Sequence, residues 1–280
     1  MAEAGGATTT RGPSEGTGAA RWGLRLVAVS YVAILVVLPL VVMVGRTFED
    51  GLVAFVASVT SPEALAAIRL SLQVAIQAVV INTIFGVTVS LLLTRYRFRG
   101  RGVLNALIDL PVSVSPVIAG LALILVYGSG GWFGGFLQSA GIQIIYSVPG
   151  IVLATCFVSL PLVVRELVPV LDEIGLEQEQ AGRSLGANGW QRLWRLTLPS
   201  IRWALAYGVV LTLARALGEF GAVRVVAGNV LGSTQTMPLL AAQRYADLDE
   251  NGAYAISFLM VTIAILCIIV VALLRPRDSR

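Results

Sequence analysis

Six long apolar stretches, near residues 24–45, 68–94, 104–127, 148–168, 201–226 and 252–274, constrain this chain more than any other feature. A hydrocarbon core of roughly 30 Å takes about 20 apolar residues per helical crossing, and each stretch is of that order. In lipid only helices and closed barrels satisfy their own backbone hydrogen bonds. The runs have helical length and lack the roughly ten-residue alternation of barrel strands. The sequence therefore predicts an all-α membrane protein with six transmembrane helices in one domain over 23–275, flanked by tails at 1–22 and 276–280. Composition agrees: 13% of residues are charged, against about 25% in soluble domains.

The charges set the orientation. All 20 basic residues are arginine, with neither lysine nor histidine. With alternating spans, Arg11, Arg21, Arg25, Arg95, Arg97, Arg99, Arg101, Arg165, Arg183, Arg192, Arg195, Arg202, Arg275, Arg277 and Arg280 fall on one side. Mainly Arg46 and Arg244 fall on the other. The positive-inside rule then places both termini and the polar segment 169–200 in the cytoplasm, and an even number of spans agrees. Residues 1–22, rich in Gly, Ala, Thr and Ser, read as a disordered cytoplasmic tail. Trp22–Val44 is too long for a signal-peptide core, and Gly45-Arg46-Thr47 lacks a small-x-small cleavage site, so it reads as a retained first helix.

Several chemistries are disfavoured. Cys156 and Cys267 lie singly in apolar runs and read as small core residues. Without histidine or paired carboxylates in one span, ordinary metal sites and His-assisted nucleophiles are missing, which argues against an enzyme. No G-x-x-x-x-G-K-[ST] phosphate loop occurs. Arg95–Arg101 reads as a topology anchor in contact with lipid headgroups; a nucleic-acid role would need a soluble basic surface.

Two spans carry polar features. The third contains Asp109-Leu110-Pro111 and then Ser113, Ser115 and Pro116. Prolines free carbonyls that need partners in protein or a wet cavity. A kinked helix beside a pathway and ordinary small-residue packing through Ser113, Ser115, Ala119 and Gly120 are both open. The fifth contains Arg215 and Glu219, four residues apart on one helical face. Arg215 is expected on the order of 20 Å from the cytoplasmic end. Substrate contact and a self-neutralising structural pair both fit. Outside the membrane, 47–67 suits a short interfacial helix, and the aromatics of 128–147 suit the interface.

The polar segment cannot cross a bilayer, yet its short helical pieces and glycines indicate order. Ala181, Gly182, Ser184, Gly186 and Ala187 form a low-relief knob that a partner's groove can grip, with Gly186 as a helix stop. Asn188 and Gly189 make a turn, and Trp190, Leu193, Trp194 and Leu196 recur as an apolar face. Gln180-Ala181-Gly182, three residues, Gly186, nine residues and Leu196-Thr197-Leu198-Pro199 resemble the E-A-A-x3-G-x9-I-x-L-P signature of membrane subunits of ATP-binding-cassette importers. Gln180, Gly182 and Leu196 depart from it, and Glu179 stands one position before the expected acid. The resemblance implies that Glu179, Gln180, Ala181, Gly182, Leu185, Gly186 and Ala187 form the coupling helix that meets the ATPase.

Beyond the N-terminal tail the chain is similar to the W-type permease subunit of bacterial sulfate/thiosulfate importers. IDLPVSVSPVIAGLALILVYGSGG, IYSVPGIVLATCFVSLPLVVRELVPVL, TLPSIRWALAYGVVLTLARALGEFGAV and GNVLGSTQTMPL carry that likeness. It implies a type I importer permease fold in the bacterial cytoplasmic membrane. Implied partners are a T-type sibling permease, two copies of a cytoplasmic ATPase and an extracytoplasmic sulfate-binding protein. No cofactor is expected on this chain, ATP and Mg belonging to the ATPase. Arg215, with Ser113, Ser115 and Thr212, could furnish the weak positive potential and donors an anion pathway needs, and Glu219 could form part of a gate. The ARALGEFGAV core also resembles T-type and molybdate permeases, so molybdate or tungstate stays open as the anion. A secondary anion transporter is a further alternative, although no internal repeat or acid–histidine relay supports it.

Overall fold

The computed structural model describes residues 18–274, and among these no strand occurs. The chain divides between Arg46 and Thr47 into two compact units. The first consists of α1 (Gly18–Val32), a π turn (Ala33–Val37) and the greater part of α2 (Leu38–Thr47). Together they make one continuous apolar helix, Trp22–Thr47. Pro39 lacks an amide hydrogen and its ring crowds the preceding turn; the one-residue widening just before it absorbs that conflict. The helix begins at Gly18, five residues inside the segment expected to be a disordered tail. The rest of that tail and the 276–280 tail lie outside the described residues.

In the second unit, α3 (Gly51–Thr60) is a short apolar helix, as expected for the 47–67 stretch. Phe55 meets Phe48 and Phe258 at ring separations of 5.1 and 5.7 Å. Ser61 then caps α4 (Pro62–Arg95), accepting from the Ala64 amide at 3.3 Å, with proline at the first helical position. The third apolar stretch is broken into α5 (Arg101–Ser113) and α6 (Pro116–Tyr127), bent by 114°. Pro116 drives its predecessor Ser115 out of the helical region, to φ −57°, ψ 133°. This is a sharper interruption than a kink. After α7 (Gly134–Ser139), α8 (Val148–Ile174) runs six residues beyond its expected end.

Helix α8 is the centre of the unit. Thirteen of its residues are buried, and small residues on its neighbours admit it closely. A Cβ on Gly86 of α4 would lie 2.7 Å from the Val163 Cβ. Asn82, almost wholly buried, donates from α4 to the Cys156 carbonyl at 3.0 Å and the Ser159 hydroxyl at 2.9 Å. Such a satisfied polar link fixes the register of two otherwise apolar surfaces.

Helices α9 (Glu177–Ser184) and α10 (Gly189–Arg192) and a second π turn (Leu193–Thr197) lead into α11 (Leu198–Leu217). The second π turn, like the first, stands two residues ahead of a proline, here Pro199. The fifth apolar helix therefore starts at Gly189 rather than near 201. It also ends early, at Leu217, and α12 (Gly221–Val226) follows as a separate turn. Gly208 of α11 packs on α8, where an added Cβ would come within 3.3 Å of the Val163 Cα. Finally α13 (Met237–Ala246) and α14 (Glu250–Leu274) close the unit. Arg244 ties their junction to that of α3 and α4, donating to the Ser61 hydroxyl at 2.8 Å and the Ser58 carbonyl at 3.2 Å. Five helices are long and apolar enough to cross a membrane, six when the bent α5–α6 pair counts as one.

Candidate functional site

The polar segment folds into a fastened arm. Gly175, at φ +71°, ends α8 and turns the chain into α9. At the other end of α9, Gly186 adopts φ +85°. The Ala187 amide donates to the Gly182 carbonyl and the Gly186 amide to the Arg183 carbonyl, both at 3.0 Å. This paired pattern closes a helix through a left-handed glycine. Asn188 opens α10 with a reciprocal capping box, its side chain accepting from the Gln191 amide while Gln191 accepts from the Asn188 amide. Two helix ends thus meet within a few residues, and each satisfies its own backbone groups.

The seven residues expected to couple to the ATPase divide between two faces of this arm. Glu179 and Gly182, three residues apart and so on one side of α9, point inward and are half-buried. Glu179 Oε1 lies 3.0 Å from Arg95 Nε, with side chains only 21% and 9% exposed. Arg95 also donates to the Leu171 carbonyl at 3.0 Å, and the Thr197 hydroxyl donates to Glu179 at 3.2 Å. One carboxylate therefore joins the arm to the ends of α4 and α8 and to the turn that opens α11. Gly182 faces Leu196, whose Cδ1 would stand 2.8 Å from an added Cβ. Two departures from the family signature, Gly182 and Leu196, are thus in contact. Gln180, Ala181, Leu185 and Gly186 are exposed, Leu185 by 88%, and Ala187 is half-buried. Leu193 and Leu196 are half-buried as the apolar periodicity implied, but Trp190 and Trp194 stand exposed, 5.5 Å apart edge to face.

The residues expected along an anion pathway separate differently. Ser113 and Ser115 are exposed at the α5–α6 break. Gly221, at the start of α12, lies against Pro116, with 2.9 Å between a hypothetical Cβ and the proline Cβ. The structure thereby brings the breaks after α5 and after α11 together. Glu219, only 3% exposed, accepts from the Ala222 amide at 3.0 Å and so caps α12, while its other oxygen lies 3.1 Å from a guanidinium nitrogen of Arg215. The pair forms as expected, across a helix end rather than along a continuous helix. The Arg215 side chain remains 43% exposed. Thr212 is fully buried and donates back to the Gly208 carbonyl at 2.7 Å.

Sequence reasoning missed Arg95 and Thr197 as partners of the arm. Arg95 stands first in the arginine run and was indistinguishable there from a headgroup anchor. It also missed the fork between Asp109 on α5 and Arg165 on α8, whose Nε–Oδ1 distance is 2.7 Å. No local spacing signals a contact between residues 56 positions apart.

A bundle of apolar helices with a broken span and a fastened polar arm is the architecture of an importer's membrane subunit, and the chain belongs to the family described as binding-protein-dependent transport system inner membrane component, matched over residues 83–279. Among its relatives are proteins named sulfate transport system permease protein CysW. That of Synechococcus elongatus is 44% identical over 92% of this chain and 91% of its own length. That of Escherichia coli K12 is 42% identical over 92% and 88%. The Escherichia coli K12 protein named CysT is 36% identical over 89% of this chain and 90% of its own. The fold matches a chain of a bacterial ABC transporter involved in importing the acidic polysaccharide alginate, with TM-score 0.73 and 16% identity over 91% of this chain and 93% of that one. The chain is thus an inner-membrane transport component, with no catalytic role of its own.

Proposed function

We propose that this chain is the W-type permease subunit of an ATP-driven sulfate/thiosulfate importer, pairing with a T-type sibling, two ATPase subunits and an extracytoplasmic sulfate-binding protein. Both termini and the 169–200 arm face the cytoplasm. The observation that carries the coupling role is the two-faced arm. Its inner face is fastened by Glu179 to Arg95 and Thr197, and its outer face presents Gln180, Ala181, Leu185 and Gly186. A solvent-exposed leucine beside small residues fits a groove on a partner. The 42–44% identity to CysW proteins over about nine-tenths of the chain supports the anion assignment.

ATP-driven closure of the ATPase pair pulls on the outer face of α9. The Glu179 latch passes that displacement to α4, α8 and α11 together, so those helices tilt as a body and the pathway exchanges inward for outward access. The loaded binding protein stabilises the outward state by differential contact, as conformational coupling requires. Along the pathway Arg215 offers a half-exposed cation, and Ser113 and Ser115 offer hydroxyls at the adjoining break. Glu219 pairs with Arg215 and caps α12, so the pair serves as a gate that an arriving anion can loosen. Thr212 contributes packing, because its hydroxyl is already committed.

Leu185→Glu tests the docking face. The residue is 88% exposed and touches no core, so the variant retains its fold. The ATPase is expected to be lost from a pull-down of the purified complex; full retention overturns the docking role. Competition of labelled sulfate uptake by thiosulfate and by molybdate identifies the anion. Strong competition by thiosulfate with weak competition by molybdate is expected, and the reverse favours the molybdate reading.

A further inference from the structure

Asp109 and Arg165 form a forked ion pair that is half-exposed, with side chains 45% and 43% accessible. Arg165 Nε donates to Asp109 Oδ1 at 2.7 Å, and a second guanidinium nitrogen contacts Oδ2. Asp109 lies eight residues into α5, and Arg165 nine residues before the end of α8. Both positions are roughly 12–14 Å along their helices from the ends nearer the polar arm, and both fall inside the apolar stretches 104–127 and 148–168. Charges inside apolar stretches turn toward protein or water rather than hydrocarbon. Ser113, exposed and four residues after Asp109, shares its face of α5.

We propose that Arg165 is a second anion-binding group of the pathway, held by Asp109 until an oxyanion replaces the carboxylate. The inference rests on the sulfate reading above. A carboxylate and a tetrahedral oxyanion both present two oxygens to the planar guanidinium fork, so Asp109 occupies the seat that a dianion takes, with the Ser113 hydroxyl as an added donor. The two arginines form a series. Val163 lies opposite Gly208 on α11, and Leu171 clusters with Ile201, so α8 and α11 run antiparallel. Arg165 is then level with about residue 206, roughly 13 Å along the axis from Arg215. Each arginine has its own carboxylate, Asp109 at one station and Glu219 at the other. Exchanging carboxylate for anion at each station neutralises the arginine throughout and keeps binding weak enough for release.

The test uses the full complex of both permeases, ATPase and binding protein in proteoliposomes, with labelled sulfate as the probe. Arg165→Gln is expected to lower uptake roughly ten- to a hundredfold, the scale of a lost charge-assisted contact, while ATPase stimulation by the loaded binding protein persists. Asp109→Asn, which leaves the cation without its counter-charge, is expected to slow release and lower the sulfate concentration for half-maximal uptake. The exchanged variant Asp109→Arg with Arg165→Asp restores the pair and its packing. It is expected to assemble normally yet remain impaired in uptake. Wild-type uptake by the exchanged variant, or by Arg165→Gln, makes the pair purely structural and overturns the proposal while the sulfate reading stands. A wild-type complex that accumulates no sulfate overturns both.

Discussion

Gly86 and Gly182 are both glycines on helices, and both face a side chain that an added Cβ would crowd. On Gly86 that Cβ would meet the Val163 Cβ at 2.7 Å, the branch point of a buried residue on the central helix. On Gly182 it would meet the free Cδ1 end of a half-buried leucine at 2.8 Å. Alanine gains about 0.5–1 kcal/mol over glycine in a helix, which offsets a small adjustment but not a forced core shift of about 1–3 kcal/mol. Gly86→Ala is therefore expected to lower the thermal midpoint of the purified complex, and Gly182→Ala to leave it nearly unchanged. Equal losses would contradict the packing described for both sites. The spacing of the polar segment was legible because glycine and asparagine dictate helix ends locally. The role of Glu179 was not, because Arg95 lies 84 positions away.

At the scale of elements, the arm is fastened through Glu179, on which the links from Arg95 and Thr197 converge. Glu179→Ala removes the carboxylate acceptor shared by Arg95 and Thr197 and leaves a nearly covered arginine without its counter-charge, at a cost of about 1.5–3 kcal/mol. Hydrogen exchange should then quicken in α9 and α10, while α4 and α8 keep their protection, since Asn82 and Gly86 still hold those two together. Faster exchange spread evenly over the membrane helices would mean that the latch is part of the core. The apolar helices themselves were readable from hydropathy, but their true ends were not. The fifth span is expected from near residue 201, yet a π turn two residues ahead of Pro199 joins it to the helix that starts at Gly189. Around Pro116 the sequence leaves a kink and ordinary packing open, and there the chain breaks outright, as it does at Gly218. Local composition marks where a break is tolerated, whereas packing decides whether it happens, as Gly221 against Pro116 illustrates.

For the whole molecule, the described helices divide the work spatially. In the proposed coupling the arm would receive force and α8 with α4 and α11 would carry it, while the two arginine–carboxylate pairs lie on α5, α8, α11 and the turn that follows α11. So arranged, the proposed coupling would tie anion movement to an ATPase bound at the arm. The decisive measurement is uptake of labelled sulfate into proteoliposomes containing the two permeases and the ATPase, with the binding protein supplied on the receiving side. Accumulation should require both ATP and the binding protein, and Leu185→Glu should abolish it together with ATPase attachment. Sulfate uptake that proceeds without ATP, or that survives Leu185→Glu at the wild-type rate, would contradict coupling through the arm.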